Sequence, residues 1–227
     1  MKKLLPILLL CISLLCAVPA FADQIIGLPP DPGGGNCYPF GCAYNGEYQQ
    51  VYTASAFSGP ITIRDLEFFN TTFNSGATEM NTGTWTISLS TTSADWNTLS
   101  HNFASNIGPD NTMVFSGNLF QPWAFGDTLH INLTTPFTYT PAPGANLLMD
   151  IASSGVSVPG AYIFFDENSS NTVIGRVCGD GYDGCYNPGD GLVTDFTTGA
   201  VPEPSSLLLL GSGLVGLAGA VRRSLGK

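Results

Sequence analysis

Charge of either sign is scarce in this chain, and positive charge is scarcest. Asp, Glu, Lys and Arg make up 11% of 227 residues, against about 25% in an ordinary globular protein. Of the seven cations, Lys2, Lys3, Arg222, Arg223 and Lys227 sit at the two ends. Between Asp23 and Glu203 only Arg64 and Arg176 face all 17 carboxylates. A surface this acidic repels phosphate backbones and anionic lipid headgroups, which argues against nucleic-acid binding. Histidine is almost missing as well, with only His101 and His130. Neither belongs to an H-E-x-x-H, and no G-x-S-x-G occurs. A zinc hydrolase or a serine nucleophile would have to be assembled without its usual frame.

Glycine and proline are abundant by contrast, at 27 and 16 residues. Together with frequent Thr and Ser they favour many short strands and turns over helices. Apolar and polar residues alternate in short runs. Trp85, Ile87 and Leu89 point one way and Thr86 and Ser88 the other; Leu129, Ile131 and Leu133 repeat the pattern. Further strands are expected over 48–57, 61–69, 112–119, 146–152, 161–166, 172–178 and 192–197. One segment departs from this period. Ser93 could cap a short helix carrying Trp96, Leu99 and Phe103, with Gly108-Pro109 ending it. The expected fold class is all-β: a two-sheet antiparallel sandwich, jelly-roll-like, with one short helix.

The two ends read as addresses. Met1-Lys2-Lys3, an apolar run from Leu4 to Val18, and Ala20-Phe21-Ala22 make a signal peptide, with cleavage after Ala22. A lipoprotein signal at Cys16 is disfavoured because Leu15 before it is not small. At the other end Val201 leads into Pro202-Glu203-Pro204, then 17 uncharged residues over 205–221, then Arg222-Arg223. A helix of that length is about 25 Å long, the short end of a membrane span. The arginines mark its cytoplasmic side. Gly211-x-Gly213-x-x-Gly216 copies a dinucleotide fingerprint without the strand and βαβ unit that would give it meaning.

This tail resembles the PEP-CTERM sorting signal of Gram-negative bacteria in all three parts: motif, Gly-rich span and basic cluster. The resemblance implies recognition and processing by an exosortase, a membrane-embedded enzyme. It also implies delivery to the cell surface or an exopolysaccharide matrix after a transient stay in the inner membrane. Pro202 and Pro204 cannot join a helical ladder, so the motif should be an extended, accessible tether. The domain plan is therefore a signal peptide over 1–22, a flexible Pro/Gly-rich leader over 23–36, a β-sandwich over 37–200 and a sorting signal over 201–227.

Four cysteines remain after signal removal: Cys37, Cys42, Cys178 and Cys185. An exported chain with an even count argues for two disulfides, either two local pairs or two cross pairs. Among candidates for chemistry, Asp65 and Glu67 share one strand face about 7 Å apart, near the spacing glycosidases use. A solvated acidic face explains them equally. The Gly-rich segment from Cys178 carries Asp180, Asp183, Asn187 and Asp190, hard oxygen ligands of the kind calcium takes. A stapled acidic turn is the plainer account of that loop. No other cofactor is called for. Tyr182 and Tyr186 are candidates for exposed aromatics, and Trp85 and Trp96 for core. The sequence thus points to an exported, non-enzymatic structural or adhesive sandwich. A carbohydrate-binding module and a glycan-cleaving enzyme are the alternatives. Its partners would be signal peptidase and exosortase during sorting, and exopolysaccharide afterwards.

Overall fold

The computed structural model describes residues 23–179 and 187–198. The signal peptide, most of the second cysteine loop and the sorting tail, with its expected membrane helix over 205–221, lie outside them. Among the described residues no helix is long and apolar enough to cross a membrane.

Twelve strands follow in order: β1 (Gln24–Ile26), β2 (Glu47–Tyr52), β3 (Ile61–Phe69), β4 (Thr82–Thr92), β5 (Thr112–Gly117) and β6 (Thr128–Tyr139), then β7 (Asn146–Ser157), β8 (Glu167–Asn168), β9 (Ile174–Cys178), β10 (Asn187–Pro188), β11 (Gly191–Leu192) and β12 (Thr194–Thr197). Their antiparallel pairs are nested. β4 pairs with β5, β3 with β6, β2 with β7, and β1 with β12. That is one long hairpin. It rolls up because β12 also zips onto β3 and β7 onto β4. The result is a sheet ordered β1-β12-β3-β6 and a larger one ordered β10-β9-β2-β7-β4-β5. This is a jelly roll, with β9 and β10 added at the free edge of β2.

Alternation places the core where the residue pattern demands. Trp85, Ile87 and Leu89 of β4 are fully buried between the sheets with Leu147, Met149 and Ile151 of β7. The small sheet contributes Leu66, Phe68, Leu129 and Ile131, with Leu133 half-buried. Tyr52 and Phe57 meet Phe196 edge to face or tilted.

The segment over 93–111 is not the expected helix. It is a string of turns that includes a short 3₁₀ turn, Phe103–Ser105. Its polar side chains compete with the helical ladder for backbone amides. Thr92 Oγ1 accepts from Ala94 N, Asp95 Oδ1 from Trp96 N, and Ser100 Oγ from Asn102 N. The apolar residues are still used. Leu99, with Phe103 and Ile107, packs on Val51, Leu148 and Val177, forming a second small core on the outer face of the large sheet. The loop lies so close that a Cβ on Gly175 would sit 1.9 Å from the Trp96 carbonyl oxygen.

Composition predicts a loose leader over 23–36, and here too the structure differs. Gln24–Ile26 is an edge strand of the small sheet, Asp31 N donates to Glu167 O, and Asn36 bridges Phe165. The sandwich begins at β1 because its last strand, β12, needs a partner on that side. The segment expected as a strand over 161–166 contributes only the Phe165 bridge.

Candidate functional site

Nesting of the hairpin brings four connections to one end of the sandwich: β1–β2, β3–β4, β5–β6 and the long excursion after β7. Asn70 and Asp166 tie the last three together, and the Asn36–Phe165 bridge joins the first. Asn70 Nδ2 donates to the carbonyls of Phe73 and Phe164, and Trp123 Nε1 donates to Asn70 Oδ1. The buried Asp166 carboxylate accepts from the backbone N–H of Thr71 and Thr72 and from both hydroxyls. This end also carries exposed aromatics, Phe73, Phe120, Phe125 and Tyr162. An open cleft of about 590 Å³ lies beside Tyr162. Ala43, Val156, Ser157, Val158, Gly160 and Ala161 complete its lining. Ile163 N donates to Gly41 O just beneath, an approach close enough that a Cβ on Gly41 would lie 1.9 Å from the Ile163 oxygen.

Three groups of carboxylates stand apart from Asp166 among the described residues. Asp65 and Glu67 do share a face of β3, as their spacing requires, but it is the open outer face of the small sheet. Asp65 Oδ2 accepts from Thr197 Oγ1 at 3.1 Å. Glu67 lies 3.0 Å from Nδ1 of His130, which is largely exposed. Asp195 joins this face opposite Glu67. Burial, with Asp23 and Glu67 adding repulsion, pushes its carboxyl up to about 6. His101 lies apart, exposed on the turn segment after β4.

A second group was not anticipated. Glu47 and Asp150 lie together on the outer face of the large sheet, where Gln49 Nε2 reaches both carboxylates. Burial raises both, and Asp150 beside it helps push Glu47 up to about 7. Gln49 Nε2 donates to Asp150 Oδ1 and to the Phe103 carbonyl, while its Oε1 accepts from Asn106. Gln49 therefore anchors the turn segment laid over that sheet and joins it to the pair.

The third group is interior. Arg176 donates through Nη2 to Asp190 Oδ2 at 2.7 Å and through Nη1 to Glu167 Oε2 at 3.4 Å. Asn187 Nδ2 also donates to Asp190 Oδ2. Beside them Tyr48 donates to Gln50, whose amide brackets both backbone groups of Leu192. Burial, then Asp190, pushes Glu167 up to about 7 against the pull of Arg176. The signal for this cluster was in the sequence. Arg176 is one of two cations in the acidic span and stands in an apolar strand, so it needs carboxylates. Asp190, a candidate calcium ligand, is committed to Arg176. Asp180 and Asp183 lie outside the described residues, as do Tyr182 and Tyr186. Among the described residues no three His, Cys, Asp or Glu side chains are placed to hold a metal.

Cys37 and Cys42 are bonded to each other, which excludes the cross pairings. Cys178 is disulfide-bonded as well; Cys185 lies outside the described residues. Of the tryptophans, Trp85 and Trp123 are buried and Trp96 is half-buried. Ala20, Ala22, Pro202, Glu203, Pro204, Arg222 and Arg223 all lie outside the described residues.

No curated protein matches this chain. Its tail does have a match: residues 200–223 fit the PEP-CTERM protein-sorting motif. The match covers the sorting segment and assigns no family to the sandwich. It makes this an exported chain that passes through a membrane-anchored intermediate and is sorted by exosortase.

Proposed function

We propose that the sandwich is a non-enzymatic structural or adhesive component of the cell surface or extracellular matrix, released to its destination by exosortase after signal peptidase has removed residues 1–22. The observation that supports this is the lining of the cleft beside Tyr162. Six of its seven residues are Ala, Val, Gly or Ser, and none is Asp, Glu, His, Lys, Arg or Cys. Enzymatic sites need positioned groups of that kind. Glu167 and Asp190 are tied to Arg176, and Asp166 to the amides of Thr71 and Thr72, instead.

Tyr162 favours a second reading, exopolysaccharide binding. The residue is 48% exposed and lines the open cleft, and aromatic side chains in a concave lining are what ligand sites use. The test takes the exported full-length protein and a set of bacterial exopolysaccharides, measuring retention and new reducing ends. The structural role predicts neither. Retention lost in Tyr162→Ala would move the assignment to a carbohydrate-binding module. New reducing ends would overturn the non-enzymatic reading.

A further inference from the structure

Among the described residues Asp195 is a buried carboxylate with no counterion. It lies in β12 between Ile25 of β1 and Glu67 of β3. The residue is 9% exposed, and its Oδ1 is buried with no hydrogen-bond partner among the described residues. The ionisable groups on this face are Asp23 from β1's end, Asp65 and Glu67 from β3, and His130 from β6. His130 faces Glu67. Among the described residues the charges acting on Asp195 are those of Asp23 and Glu67, both negative. Arg64 is exposed at the bulge between Ile63 and Asp65, and Arg176 is committed on the interior side. A buried charge in such company is costly unless something pairs with it.

The register of β1 supplies a candidate. Ile25 opposite Asp195 puts Asp23 two residues further along the same face. Diagonal cross-strand neighbours of this kind lie about 7–8 Å apart at Cα. Asp23 is also pinned there, because its Oδ1 accepts from Thr198 N at 2.9 Å. In the precursor the main-chain nitrogen of Asp23 is a neutral amide. Hydrolysis of the bond after Ala22 adds one water. The departing peptide keeps a carboxylate, and the new amine on Asp23 takes up a proton at neutral pH. We propose that this α-ammonium is the counterion of Asp195, so that removal of the signal peptide completes the electrostatics of the small sheet. The inference rests on cleavage after Ala22. It also rests on the fact that no lysine occurs between Lys3 and Lys227, which leaves the domain no other amine.

The test uses the exported, signal-processed protein. Mass spectrometry must find Asp23 at its N-terminus; any other start overturns the proposal. The α-amine is then acetylated near neutral pH, in wild type and in Asp195→Asn, the variant also controlling for reaction at Lys227. Acetylation should lower the melting temperature of wild type by about 3 °C and leave Asp195→Asn unchanged. Equal shifts in both, or none in wild type, overturn it. If Asp195→Asn does not fold, titration of the α-amine in wild type decides. It should ionise about one unit above its usual 7.7–8.0, and an ordinary value contradicts the pairing.

Discussion

Arg176 and Asp190 meet inside the sandwich, Nη2 to Oδ2 at 2.7 Å, and neither could stay there charged without the other. Glu167 completes the cluster, and all three side chains are largely shielded from water. Arg176→Leu should therefore cost about 3–5 kcal/mol, because it strands buried negative charge. The loss has a pH signature. The folded state holds Glu167 up at about 7, whereas an unfolded glutamate ionises near ~4.3. Between those values the folded chain binds the extra proton, so stability falls as pH rises through that window. Urea denaturation should show a larger deficit for Arg176→Leu at pH ~8 than at pH ~5; equal deficits would contradict the account.

Gly175→Ala should destabilise by about 1–3 kcal/mol, the usual penalty for forcing volume into a packed contact. A Cβ there meets backbone, the Trp96 oxygen, and not the end of a mobile side chain. The turn segment must lift from β9, and hydrogen exchange should show faster exchange around Leu99 with the central strands unchanged.

Asp166→Ala removes one carboxylate and leaves the N–H groups of Thr71 and Thr72 without their acceptor. A loss of about 2–3 kcal/mol follows from stranding such donors. Limited proteolysis should then cut between β3 and β4, where wild type resists.

Reducing the Cys37–Cys42 bond should cost about 2 kcal/mol, since the loop it closes is only five residues long in separation. Chemical denaturation of a Cys37→Ser/Cys42→Ser double variant measures this directly. No change in midpoint would mean that the Gly41–Ile163 backbone contact holds the loop unaided.

The strand plan was legible because burial on one face writes itself as alternation. Ile61–Phe69 emerges with the bounds its pattern gives, and Trp85, Ile87 and Leu89 go to the core together. The helical spacing around Leu99 does not yield a helix, for a definable reason. Apolar spacing of three and four was present, but Thr92, Asp95 and Ser100 capture the backbone amides that a helix would use. The order of the leader is not legible because composition cannot show that β12 requires a neighbour. Asp166 was invisible in a different way. Its partners are 94 and 95 residues away, and nothing in a lone loop aspartate marks it as the keystone of one end. Arg176 carries a signal of another kind, a cation set in an apolar strand, where burial demands carboxylates.

The sorting tail is tested by changing Pro202-Glu203-Pro204 to three alanines and following the protein through membrane and released fractions, in cells with and without exosortase. The account predicts that the variant is exported and loses its signal peptide, yet keeps its tail and stays with the membrane, as wild type does when exosortase is missing. Release of the variant with wild-type processing would contradict it.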